Sequence, residues 1–192
     1  MKDMAVHHEA RGASTITQQL VKNMFRTRTE YSTGLTGFIP GVRLLVMKTK
    51  EWVTAVKLEM FYTKKEILTM YLNTVDFGSN AFGIRTAAKT YFNTTPMKLK
   101  TEESAVLVGM LKATTTYNPR LNPKNSKSRR NVVLSNLLRK KFLTHEEYDS
   151  LSELPIELKY TPVKPTDGKA PYFRDVLADE LQNGWCKDND KD

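Results

Sequence analysis

A single cysteine, Cys186, has no intrachain partner among the 192 residues, which excludes a disulfide-stapled scaffold. No apolar run approaches the roughly eighteen residues of a membrane-spanning helix. No signal-peptide core follows Met1-Lys2-Asp3-Met4. Glycine (9) and proline (8) are too few for a collagenous or low-complexity chain. Strand-like alternation is sparse and no internal repeat occurs. What is there, 40% apolar and 27% charged residues, suffices for one globular domain with a trailing piece and excludes wholesale disorder.

The charge is basic and uneven. Residues 1–100 hold 15 Lys/Arg against 7 Asp/Glu, and the remaining residues hold 15 against 14. Between 11 and 50, Arg11, Lys22, Arg26, Arg28, Arg43, Lys48 and Lys50 face Glu30 alone. Such a field attracts phosphate-bearing partners: nucleic acid, anionic lipid headgroups or a pyrophosphate. A merely solvated basic surface explains the charge alone equally well.

Helical periodicity dominates. Ser14-Thr15 is a cap for a helix from Ile16 to about Phe25. Residues 26–41 are rich in Thr, Gly and aromatics and read as an apolar loop. Val42 to Tyr62 reads as one long helix. Leu44, Met47, Ala55, Leu58 and Tyr62 fall within about 40° of Glu51 at helical spacing. Trp52, Val53, Val56 and Met60 line the other side. Two apolar faces predict a central, buried helix. Glu51 therefore interrupts an apolar stripe, where a carboxylate needs a partner, a wet cleft or a task.

Thr63-Lys64-Lys65-Glu66 and Thr144-His145-Glu146-Glu147 are capping boxes. Further helices are predicted over 84–92, from Thr101 to Leu111, over 128–141 with Val132, Val133, Leu137 and Leu138 as its apolar positions, and over 171–181. Residues 155–170, with Pro155, Pro162, Pro165 and Gly168, read as a linker. The fold class is mainly α. Ser14, Gln18 and Lys22, at i, i+4 and i+8, place a hydroxyl, an amide and an ammonium on one face near a helix start that favours anions. An ordinary capped helix with a polar face has the same spacing.

Four segments in order carry a more specific signal. GASTITQQLVKN (12–23), KTKEWVTAVKLE (48–59), KKEILTMYLNTVDFG (64–78) continuing through Gly83, and EESAVLVGMLKATTTYNP (102–119) with the sequel Arg129-Arg130-Asn131 resemble motifs two to five of a known family. It is the peptidoglycan glycosyltransferase (transglycosylase) domain of class A penicillin-binding proteins. The resemblance implies a mainly helical, lysozyme-like, bilobal domain over 1–154, a linker over 155–170, and in 171–192 the start of a segment leading towards a transpeptidase domain. It implies polymerisation of lipid II onto a growing glycan strand, with undecaprenyl pyrophosphate leaving.

By the same resemblance, Glu51 is the catalytic residue beside the donor pyrophosphate. Ser14, Thr15, Gln18, Gln19, Lys22, Asn23 and Lys48 bind substrate, while Tyr71, Asn73, Gly78, Gly83, Asn118 and Pro119 shape the site. Met47 stands where the family usually has an Arg or Lys, so one donor-side charge is missing. A divalent cation, Mg or Mn, is an expectation at the pyrophosphate; no residue here reads as its ligand. The expected partners are lipid II, the glycan strand, a membrane surface touched by the apolar region 31–47, and cell-wall synthesis proteins in a larger parent. Nucleic acid is not expected. The implied location is the outer face of a bacterial inner membrane.

The family's first motif, which carries the general base on the acceptor hydroxyl, has no match in residues 1–11. Glu9 lies too close to Ser14, and His7 and His8 do not form its pattern. The expectation is an N-terminally truncated domain. The serious rival is a catalytically silent lipid II-binding fragment. A basic nucleic-acid binder would lack any recognised module, and a lysozyme-type hydrolase would want a second flanking carboxylate.

Overall fold

A computed structural model describes residues 14–25, 40–162 and 170–185. In chain order the helices are α1 (Ile16–Met24), α2 (Pro40–Phe61), α3 (Lys64–Thr74), α4 (Ile84–Phe92), a 3-10 turn Pro96–Lys98, α5 (Thr101–Met110), α6 (Pro123–Arg139), α7 (His145–Glu153) and α8 (Pro171–Glu180), which runs into a π-helical turn, Leu181–Trp185. No strand forms among the described residues; the sheet-like pairing is an isolated bridge between Asp76 and Phe82. The mainly α class is what the structure shows.

The chain divides into two compact units. One comprises residues 1–77 with 82–85, the other 78–81 with 86–192. In the first, α1 packs on α2 and α3, and α2 meets α3. Leu20, Val21, Ala55, Ile67, Tyr71, Val75 and Phe77 are buried there. In the second, α6 packs on α5 and α7. Gly109 lies where α5 comes close to α6: a Cβ there would stand 3.1 Å from Cγ of Arg129, tighter than an ordinary contact.

Local signals set the helix starts. Thr63 and Thr144 each accept from the amide three residues on, and Glu66 and Glu147 reach back to the cap amide. This satisfies donors that the first turn leaves open. The Thr63 bonds also hold the Glu66 carboxyl below its ordinary pKa.

Three expectations need correction. Helix α2 is not buried all round: Glu51 and Ala55 are covered, while Trp52 is 64% and Met60 75% exposed. In its unit α1 and α3 meet the Glu51 side, and no described neighbour takes the second apolar face. Helix α6 begins at Pro123 rather than Ser128, with proline in the first turn, where its missing N–H costs nothing. Its buried stripe is Ser126, Arg130 and Leu134, and Val132 is exposed. Residues 155–162 are not a free linker. They run extended beside α4, with Lys159 N donating to Tyr91 O (3.0 Å) and Thr161 N to Thr90 O (2.7 Å). Residues 163–169, the 26–39 loop and the tail from 186 lie outside the described residues.

Candidate active site

The segment Ser14–Asn23 spends its polar groups in three ways. Thr15 is the N-cap: its Oγ1 accepts from Gln18 N, and Gln18 Oε1 accepts from Thr15 N, both at 3.2 Å. Gln18 therefore serves the cap rather than standing free on a ligand-facing stripe with Ser14 and Lys22. Gln19 reaches between elements, donating from Nε2 to Ser14 O (3.3 Å) and accepting at Oε1 from the Tyr71 hydroxyl (3.1 Å). Lys22 and Asn23 are exposed and make no hydrogen bond among the described residues.

Thr17 was not among the expected site residues, yet it ties α1 to α2. It is buried, and its Oγ1 donates to Glu59 Oε1 at 2.6 Å. A hydroxyl donating to a carboxylate is among the stronger hydrogen bonds available. Together the Thr17–Glu59 and Tyr71–Gln19 bonds lock α1 to α2 and α3. The sequence held the signal only as a Thr inside a helix and an acidic residue closing the third motif, 42 residues apart.

On α2, Lys48 and Glu51 lie one turn apart and form an ion pair, Nζ to Oε2, at 2.8 Å. The lysine side chain is 44% exposed and the glutamate 3%. Burying a carboxylate alone would cost several kcal/mol, roughly 3–5 when one partner of a buried pair is removed. Lys48 meets that cost while its side chain stays half exposed to solvent. The ammonium is thus held in place and still available to an anion.

The Tyr71 hydroxyl is buried on α3, and burial raises its pKa above the ordinary phenol value. It is a neutral donor at any ordinary pH. Asn73 has an exposed side chain, and its backbone does the shaping. A Cβ at Gly83 would sit 2.5 Å from Asn73 O, and Gly83 has φ +78°. Only glycine fits that approach in that conformation.

The second unit holds the other expected structural positions. Gly78, at φ +74°, lies against Thr114, where a Cβ would be 3.1 Å from the carbonyl oxygen. Asn118, 1% exposed, donates from Nδ2 to Tyr91 Oη (3.1 Å) and accepts at Oδ1 from Arg120 N (3.0 Å). Pro119 beside it is buried. The hydroxyl of Tyr91 bonds Ser79 Oγ at 3.2 Å, so the 78–81 turn is tied to α4.

No group of three or more His, Cys, Asp or Glu that could hold a metal occurs among the described residues. Glu51 is a single carboxylate whose ion-paired ammonium repels a cation.

One helical unit thus packs α1, with Lys22 exposed, against α2, which carries the Lys48–Glu51 pair. The chain belongs to the transglycosylase family: the family profile described as Transglycosylase matches residues 1–138. The domain is that of class A penicillin-binding proteins. Penicillin-binding protein 1A of Haemophilus influenzae is 36% identical over 180 residues, covering 94% of this chain and 20% of that protein. The Escherichia coli protein of the same name is 35% identical over 178 residues, covering 93% and 19%. A crystal structure of penicillin-binding protein 1A from Haemophilus influenzae aligns with TM-score 0.50 and 38% identity over 62% of this chain and 17% of that one. The chain spans about a fifth of the length of these curated relatives.

Proposed function

We propose that this chain is part of a peptidoglycan glycosyltransferase that polymerises lipid II and releases undecaprenyl pyrophosphate. The observation that carries the reading is the half-exposed Lys48, fixed at 2.8 Å by the buried Glu51, inside a chain matching the transglycosylase family over residues 1–138. Lysine acts on phosphate as a point charge. Lys48, helped by Lys22, steadies the leaving pyrophosphate, and Glu51 holds Lys48 in position. The attacking 4-hydroxyl of the acceptor loses its proton to a general base supplied from the family's first motif. The anomeric carbon–pyrophosphate bond breaks as the new glycosidic bond forms.

The substrate's polyprenyl tail places the reaction at a bilayer surface, on the outer face of the inner membrane in the whole protein, with other cell-wall synthesis proteins as partners. The exposed Trp52, Val53, Val56, Met60 and Phe61 of α2 support membrane contact. No helix among the described residues is long and apolar enough to cross a membrane.

A silent lipid II-binding fragment is the second reading. It is favoured by the pairing of Glu51, the one buried carboxylate among the described residues, with Lys48, which leaves no ready base. A lipid II polymerisation assay in liposomes separates the two. The 192-residue chain should make negligible glycan, because loss of a general base costs about 10²–10⁴-fold. A longer form carrying an upstream Glu should be active, and Lys48→Met in it should lower kcat by about 10²-fold. Long glycan chains from the 192-residue form would refute the base assignment. An inactive longer form that still binds lipid II would favour the silent reading.

A further inference from the structure

In the second unit, the end of α6 and the start of α7 form an open groove of about 500 Å³. Arg139, Lys141 and His145 line it, and Leu138, Leu143 and Ser135 complete its walls. No carboxylate is among its lining residues. Glu147 is engaged at the cap, accepting from Thr144 N at 2.8 Å, and Glu146 does not line the groove. The capping box already uses the Thr144 and Glu147 amides, so the attraction for a ligand lies in the side chains.

The three basic side chains are exposed and open to a ligand. Those of Lys141 and His145 make no hydrogen bond or ion pair among the described residues. Arg139 gives Nη2 to Asn136 Oδ1 at 3.0 Å, which steadies the guanidinium and leaves its other N–H groups unused. Lys141 is held there at a cost. It closes α6 in a Schellman turn, its N donating to Leu138 O (2.8 Å) and Phe142 N to Leu137 O (2.9 Å), and it has φ +61°. That left-handed position is ordinarily glycine's, and a side chain there brings strain. The residue that bears the strain is one that lines the groove.

We propose that this groove binds a phosphate group, gripped by Arg139 and Lys141 with His145 as a further donor. A guanidinium can meet two phosphate oxygens at once, and lysine adds a point charge. The leucine walls suit the carbon skeleton of a phosphate ester over a bare inorganic ion. A soluble ester and an anionic phospholipid headgroup share this chemistry. Phe142, between two lining residues and 76% exposed, would enter the bilayer in the second case. The proposal goes beyond glycosyl transfer, and neither Lys48 nor Glu51 takes part in it.

The test titrates the 192-residue chain with glycerol 1-phosphate and, separately, acetate at matched ionic strength, following amide shifts of residues 135–146 by NMR. Glycerol phosphate should give saturable shifts, and acetate should bind several-fold more weakly. Lys141→Gly separates binding from folding. It should raise the urea midpoint by relieving the left-handed strain, yet weaken glycerol phosphate about three- to fivefold, the scale of one exposed charge. Lys124→Gln, at the far end of α6, removes the same charge and should leave binding unchanged. Vesicles identify the source. In a Trp52→Phe, Trp185→Phe background, Phe142→Trp places the sole tryptophan beside the groove. A blue shift with phosphatidylglycerol vesicles, absent with phosphatidylcholine, identifies a lipid headgroup. Glycerol phosphate binding without that shift identifies a soluble ester. The proposal is overturned if neither probe binds, if acetate matches glycerol phosphate, or if Lys124→Gln weakens binding as much as Lys141→Gly.

Discussion

The hydrogen bond from Thr17 to Glu59 should carry much of the docking of α1, and a double-mutant cycle measures it. The bond is 2.6 Å long and has a charged acceptor, a class worth about 1.5–3 kcal/mol. Glu59 is exposed, so water competes for it and the expected coupling falls to about 1–2 kcal/mol. Thr17→Val removes the donor while Glu59 stays hydrated. Glu59→Ala strands a buried hydroxyl and should cost the same or somewhat more. The double variant should cost clearly less than the sum of the two. Because the chain forms two compact units, a global unfolding signal would mix them. Trp52 lies in the first unit, and Trp185→Phe makes it the sole tryptophan. Urea titrations followed by Trp52 fluorescence then report on the unit that holds α1. Distant, independent sites add to within about 0.3–0.5 kcal/mol. A coupling inside that range would show that buried Leu20 and Val21 hold α1 without the polar tie, and the account of this site would fail.

Two further changes test other parts of the argument. Gly83→Ala should destabilise the first unit by about 3 kcal/mol, from left-handed backbone strain plus the collision with Asn73 O; Gly184→Ala, with nothing within 4 Å, should stay within about 0.5 kcal/mol, and equal effects in denaturant titrations would refute the contact. The raised pKa of Tyr71 means that the unfolded chain releases its phenolic proton first as pH rises. Stability from this group is therefore complete below about pH 10, the ordinary phenol value, and declines above it. Tyr71→Phe should lower stability at neutral pH and flatten that alkaline decline. An unchanged slope of urea midpoint against pH between 9 and 11 would contradict it.

Features written in neighbouring residues could be read from the sequence alone. The capping boxes at Thr63 and Thr144 are complete within four residues, and both helices start there. Glu51 stood out as a carboxylate in an apolar stripe, and the structure buries it against Lys48, one turn away. Features that depend on distant neighbours could not be read. Periodicity reports which faces of α2 are apolar but not which face has something to pack against. Pro123 has the same identity in a loop and in a first helical turn, so the start of α6 was misplaced. The Thr17–Glu59 bond joins positions 42 apart with no local pattern. The roles assigned to Ser14, Lys22 and Lys48 came from motif order, and geometry adds the reason Lys48 is held rather than free.

The short extended stretch beside α4 has a mechanical consequence. A pull applied to the chain beyond residue 162 arrives first at the backbone bonds from Thr161 to Thr90 and from Lys159 to Tyr91. Between them Tyr160 rests near the ring of Tyr91, with centroids 6.1 Å apart, and under the guanidinium of Arg120. Tension therefore passes into α4. From Tyr91 it continues through the shared hydroxyl contacts to Ser79 and Asn118, the clasp that closes the 78–81 turn. A load on residue 162 is thereby shared with α4 and the 78–81 turn as well as with the backbone leading to α7.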